Sequence, residues 1–236
     1  MSQWQRDLIN LVQASNNETE LLQAIMPLVK ELGFEYCAYG IHIPIPISKP
    51  RVELVNNYTS DWKESYHQNN YLSIDPTVAY CWSNPIPLVW SEDLYASARN
   101  MWEDARAHGL EYGWAQSSHS GNGMSGMLTL SRGCESLGET ELENIGYKLS
   151  VLTHSLHTKM SDIFEHKHLS DLNANLTNRE KSILRWTAEG KTAGEISLIL
   201  NITERTVNFH ITNINKKLNS PNKICSAVRA ALLGLI

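Results

Sequence analysis

The chain has 236 residues, enough for two ordinary domains with buried cores. With 42% hydrophobic and 19% charged residues it reads as a soluble globular protein rather than a disordered one, and no apolar run approaches the roughly 18 residues of a membrane span. The net charge of −5 hides a division: residues 175–236 hold nine Lys/Arg against four Glu, so only this basic C-terminal part suits a polyanion.

The N-terminus, Met1-Ser2-Gln3-Trp4-Gln5-Arg6-Asp7, lacks the charged and apolar regions of a signal peptide. Cys37, Cys81, Cys134 and Cys225 are scattered without a CxxC pair, which points to reduced core thiols in a cytoplasmic protein. An amphipathic helix is expected where Leu21, Leu22, Ile25, Leu28, Val29 and Leu32 recur at helical spacing before Gly33. Residues 34–47 read as a strand ending in a Pro-rich turn, with 51–58 as its partner. A polar and aromatic helical stretch follows over 61–82, then a short extended piece at 85–90 and a helix over 94–108. Residues 112–119 and 124–132 form a hairpin around Gly121-Asn122-Gly123. A long helix spans 139–164, with Leu142, Ile145, Leu149, Leu152 and Leu156 on one face, and the aperiodic polar stretch 165–175 reads as a linker. The result is an α+β chain. Residues 1–164 form an α/β/α sandwich around a small antiparallel sheet, and 176–236 form an all-α unit of four helices.

In that last unit Thr177-Asn178-Arg179-Glu180 is a capping box. The helix it starts carries Ile183, Leu184 and Trp186 and stops at Gly190. Thr192 caps a short helix with Ile196 and Ile199, and Thr203 caps a longer one whose apolar positions are Val207, Ile211, Ile214 and Leu218. A short helix, a turn and a longer helix with a polar outer face form a helix-turn-helix. Packing the apolar stripe inward leaves Arg205, Thr206, Asn208, Thr212, Asn213, Lys216 and Lys217 as DNA-facing candidates. Amides and hydroxyls read base edges or phosphates, and lysines release counterions.

This unit resembles the LuxR-type quorum-sensing regulators. The resemblance rests on Leu176-Thr-Asn-Arg-Glu180, Leu184-Arg-Trp-Thr-Ala-Glu-Gly-Lys-Thr192, Glu195-Ile196, Thr206-Val-Asn-Phe-His210 and Lys217-Leu218.

In the first unit Tyr58, Trp62, Tyr66 and Tyr71 fall at intervals of four, four and five, followed by Asp75-Pro76 and Trp90. The residues alone leave open an aromatic core with Asp75 as a helix cap, or an apolar pocket with a few polar groups for a small amphiphile. The same family resemblance favours the pocket. Tyr58, Trp62, Tyr66, Asp75-Pro76, Trp90 and Gly113 match the spacing of its acyl-homoserine-lactone-binding domain. The resemblance implies that Trp62 donates to the lactone carbonyl, Asp75 accepts the ligand amide N–H and Tyr58 bonds the amide carbonyl. It sets Thr129 near that amide and Tyr66, Trp90 and Trp102 around the ring and near acyl chain, and Tyr71 joins the ligand-binding candidates through its aromatic spacing.

The resemblance therefore implies a transcription regulator that binds an N-acyl homoserine lactone and, as a homodimer, palindromic promoter DNA, with RNA polymerase as a further partner. No cofactor, metal, membrane or enzymatic activity is expected. A family member answering several lactones, a non-lactone ligand or none is the alternative. The opening segment lacks the acidic pair of a phospho-receiver, and no GxSxG or P-loop occurs. His154, His157, His166 and His168 read as solvent-facing helix or linker residues. The helix over 139–164 is a candidate for dimer contact or for covering its own domain.

Overall fold

The structure, a computed structural model, describes residues 1–169 and 175–236. They form two compact units, one from residues 1–43, 51–120 and 125–163, the other from 44–50, 121–124 and 164–236.

The first unit opens with a helix absent from the sequence reading, α1 (Gln3–Ala14), started by a Ser2/Gln5 capping box. It buries Trp4 and Leu8, and Trp4, Leu8, Leu11 and Val12 recur at helical spacing, a periodic signal that the reading from Leu21 onward passed over. Helix α2 (Glu18–Glu31) buries Leu21, Leu22, Ile25, Leu28 and Val29 as the periodicity requires. Strands β1 (Tyr36–Ile43), β2 (Arg51–Asn56), β3 (Leu88–Val89), β4 (Tyr112–His119) and β5 (Ser125–Arg132) make one antiparallel sheet in the order β2-β1-β5-β4-β3. The β1–β2 and β4–β5 pairings are the ones the turn signals predict. The central β1–β5 pairing joins segments remote in sequence.

Alternation along β1 gives the sheet two different faces. Cys37, Tyr39, Ile41 and Ile43 are fully buried on one, the two isoleucines each stabilising by about 1.5–3 kcal/mol. Helix α6 (Glu139–Leu169) covers that side with Leu149, Leu152, Leu156 and Met160. The Tyr39 hydroxyl bonds His157 Nδ1 at 2.7 Å, and Ser120 Oγ lies 2.8 Å from His157 Nε2. His157 is therefore a buried, hydrogen-bonded core residue, contrary to the solvent-facing expectation, whereas His154 is exposed. Gly126 makes room for this contact, since a Cβ there would stand 2.1 Å from the Tyr39 hydroxyl.

The stretch expected as one helix over 61–82 is broken. Helix α3 (Ser60–Gln68) ends where Asn70 adopts the left-handed conformation at φ 51°. A 3-10 turn at Tyr71–Ser73 follows, and α4 (Pro76–Ser83) begins with Asp75 as its N-cap. The helix expected over 94–108 is likewise a 3-10 turn and a shorter α5 (Arg99–Ala107). With α4 packed on β4 and β5, the first unit is an α/β/α sandwich. Burial pushes the Cys37 and Cys81 thiols up to about 12, but Cys134 is exposed and Cys225 half-buried, so only two cysteines are core thiols.

The expected linker begins inside α6, which runs to Leu169, and its residues 170–174 lie outside the described residues. The second unit contains α7 (Asn178–Ala188), α8 (Ala193–Leu200), α9 (Glu204–Lys217) and α10 (Lys223–Leu232). Capping boxes at Thr177/Glu180 and Thr192/Glu195 start α7 and α8, and left-handed Asn201 turns the chain between α8 and α9. Ile183, Leu184, Ile196, Val207, Ile214 and Leu218 form its buried core. Among the described residues no helix is long and apolar enough to cross a membrane.

Candidate functional site

The second face of the sheet, at Ala38, Gly40, Met127 and Thr129, borders a cavity of about 510 Å³ that α3, α4 and α5 enclose. Helix α3 is capped by the Thr59 side chain and presents Trp62 and Tyr66 one turn apart, their rings edge-on at 5.7 Å. Both line the cavity, as do Tyr58, Asp75, Trp90 and Thr129. These are six of the eight residues singled out from the sequence.

The other two do not line it. The helix break after Gln68 turns Tyr71 away, so that its hydroxyl donates to Asp104 Oδ2 at 3.1 Å. Its ring backs Trp62 at 5.8 Å and Tyr66 at 6.0 Å. Trp102 stands behind the wall, stacked on Tyr95 at 4.3 Å and edge-on to Trp90 at 6.2 Å. Tyr95, Met101, Leu54 and Val78 line the cavity in addition. Helical spacing through Tyr95, Ala98 and Trp102 carried a signal for Tyr95. Leu54 and Met127 depend on strand register, which the sequence does not display.

Asp75 is both a helix cap and a cavity residue. Its Oδ1 accepts from the Thr77 backbone N at 2.9 Å and the Thr77 hydroxyl at 2.6 Å. Its Oδ2 accepts from the Tyr66 hydroxyl at 3.0 Å. Burial pushes the carboxyl above its usual pKa, opposed by the Thr77 and Tyr66 hydrogen bonds. Burial likewise raises the Tyr58 and Tyr66 hydroxyls, which stay neutral donors. Among the described residues that line the cavity, two buried polar atoms have no partner in the protein, Thr129 Oγ1 and Trp90 Nε1. An unpaired buried hydroxyl costs about 1–3 kcal/mol, which a polar ligand group would recover. Gly113 supports the Trp90 ring from below, and a Cβ there would stand 2.3 Å from it. The cavity thus has one polar end within aromatic and aliphatic walls, a shape for a small amphiphile.

On α9, Arg205, Asn208, Thr212 and Lys216 are exposed, and Thr206 and Asn213 are half-buried. Three side chains are already engaged, and the Thr206 hydroxyl shares a hydrogen bond with the Thr203 hydroxyl at 2.8 Å. The Thr212 hydroxyl donates to the Asn208 carbonyl at 3.0 Å, so it is held within the helix. Lys217 is turned inward, donating to Glu180 Oε2 at 2.8 Å and to the Asn175 carbonyl at 2.9 Å. Burial works against ionisation of Glu180, but Lys217 and the Thr177 amide overcome it and hold its carboxyl below the ordinary value. Phe209, off the buried stripe and 62% exposed, was not singled out from the sequence.

Comparison with known proteins yields two family matches. Residues 17–160 match the autoinducer binding domain, and residues 174–231 match the bacterial regulatory proteins of the luxR family. The transcriptional activator AnoR of Acinetobacter nosocomialis is 43% identical over the whole of both chains. The quorum-sensing regulator RhlR of Pseudomonas aeruginosa is 36% identical over 99% of this chain and 96% of its own. The crystal structure of SdiA from Escherichia coli superposes with a TM-score of 0.84 at 34% identity, covering 99% of this chain and 98% of SdiA. A structure of SdiA in complex with octanoyl-rac-glycerol superposes at 0.82, 35% identical over 98% of this chain and 95% of that one.

Proposed function

We propose a function from one premise: the chain belongs to the LuxR family of bacterial regulatory proteins and carries the family's autoinducer-binding domain. Its relatives are transcription regulators, not enzymes. The protein binds an N-acyl homoserine lactone in the 510 Å³ cavity and, as a cytoplasmic homodimer, binds palindromic promoter DNA through α9, in reach of RNA polymerase. Residues 1–164 act as the sensor and 176–236 as the DNA-binding domain.

The observation that carries this reading is the polar end of the cavity. Trp62 donates to the lactone carbonyl, Tyr58 to the amide carbonyl, and Asp75 Oδ2 accepts the amide N–H. Thr129 Oγ1, partnerless within the protein, completes the amide site. Trp90 and Tyr66 wall the ring, with Tyr71 and Trp102 as their backing. On α9, Arg205, Thr206, Asn208, Asn213 and Lys216 meet DNA, whereas Lys217 holds α9 to α7.

Thermal unfolding with and without a panel of N-acyl homoserine lactones tests this. A rise of several degrees for some of them, absent in Asp75→Ala, is expected. No rise with any lactone, in a folded protein that binds DNA, would turn the reading to the second one. In that reading the ligand is a different acyl amphiphile, favoured by the SdiA complex with octanoyl-rac-glycerol.

A further inference from the structure

We propose that the ligand of this cavity carries a long acyl tail, about ten carbons, and that Gly40 with the His42–Trp82 pair selects for it. The proposal rests on the lactone reading above and concerns the end of the cavity opposite the headgroup residues.

Strand register arranges that side of the sheet in three rows. The first is Asn56–Ala38–Thr129, the second Leu54–Gly40–Met127 and the third Val52–His42–Ser125. Rows one and two line the large cavity. Rows two and three line an adjoining apolar crevice of about 50 Å³, which shares Gly40, Leu54, Leu72, Val78 and Met127 with it. Trp82 of α4 closes this crevice, its ring 4.6 Å from that of His42.

Polarity changes along the rows. Row one bears Asn56 and the Thr129 hydroxyl, beside the headgroup set. Row two carries no hydrogen-bonding side chain. At its centre Gly40 exposes bare backbone, and a Cβ there would stand 3.0 Å from Leu54 Cδ2, so glycine keeps the passage into the crevice open. Row three adds His42 and Ser125, but the crevice walls around them are mostly apolar, and rows two and three leave apolar surface in water, with Trp82 49% and Leu54 47% exposed. A tail lying there covers both.

The register is also a ruler. From Thr129 to Ser125 the strand advances about 13 Å, at roughly 3.4 Å per residue. A zigzag of carbon–carbon bonds of ~1.5 Å advances about 1.3 Å per carbon, so a tail anchored at Thr129 reaches His42 and Trp82 with about ten carbons.

Equilibrium binding of unbranched lactones from butanoyl to tetradecanoyl tests the assignment, using the full chain. Affinity should climb about four-fold per added methylene up to decanoyl and then level off. Gly40→Val should weaken decanoyl binding roughly ten-fold more than butanoyl binding, the equivalent of about two methylenes. Trp82→Ala, a change at a half-exposed surface residue, should cut the preference for the long tail in the same direction. Affinity that peaks at butanoyl or hexanoyl, or a Gly40→Val variant that folds and binds all lengths as the parent does, overturns the tail assignment and leaves the lactone reading standing. Absence of binding by every lactone overturns both.

Discussion

Asp75 meets the fold and the cavity at once, because its two oxygens face different partners. Oδ1 caps α4 and Oδ2 meets Tyr66 and the cavity. Asparagine is as good an N-cap as aspartate. Asp75→Asn should therefore leave the ligand-free protein within about 1 kcal/mol of the parent while sharply reducing the lactone-induced rise in Tm. Thr129 invites the converse experiment. Its hydroxyl is buried without a partner in the protein, so Thr129→Val should leave ligand-free stability unchanged or raise it by about 1 kcal/mol. The same change should weaken lactone binding by about 0.5–1.5 kcal/mol, read by chemical denaturation and by titration.

Between elements, β1 and α6 are tied by the Tyr39–His157 bond, closed on the other side by Ser120. Burial lowers the His157 pKa from 6.5 to about 4, and the nearby His119 and His154 add to the shift. A base whose folded pKa is depressed favours the folded state above its unfolded pKa, and that stability drains as pH falls from 6.5 towards 4. Denaturation of the ligand-free protein should show a loss of about 1 kcal/mol at roughly pH 5.5 relative to neutrality. His157→Gln should flatten that part of the profile. In the second unit, Lys216 and Lys217 are adjacent on α9 and have different expected effects. Lys216→Ala should spare stability, weaken binding to all DNA sequences and lower the salt slope by about one. Lys217→Ala strands Glu180, whose side chain is 4% exposed, and should destabilise that unit by about 1–3 kcal/mol. Equal stability of the two variants would show that the Lys217–Glu180 pair is not structural.

At the scale of the molecule, the helical unit has its own buried cluster, with Ile183, Ile196, Val207 and Ile214 at its centre. Each unit can melt on its own core, so calorimetry should resolve two transitions. The lactone should raise one and operator DNA the other, each by mass action on the unit it binds. A single transition that both ligands raise equally would instead mean one cooperative body.

The helix-turn-helix was legible in local chemistry alone: capping boxes and apolar steps along one helix. Aromatic spacing brought out Tyr58, Trp62 and Tyr66, but reading them as a pocket with Asp75, Trp90 and Thr129 came from the family resemblance, and six of the eight candidates line the cavity. The hairpins were legible too, since adjacent strands are joined by short turns. Tertiary structure decided the rest. Lys217 and His157 face inward because partners on other elements, Glu180 and Tyr39, wait there, and no local pattern records a partner more than thirty residues away. Tyr71 left the cavity wall because Asn70 and a 3-10 turn broke the helical spacing that had aligned it, and Trp102 stands behind the wall, stacked on Tyr95. The β1–β5 register, which sets Gly40 beside Met127 and Ala38 beside Thr129, arises only when segments ninety residues apart pair on one buried face.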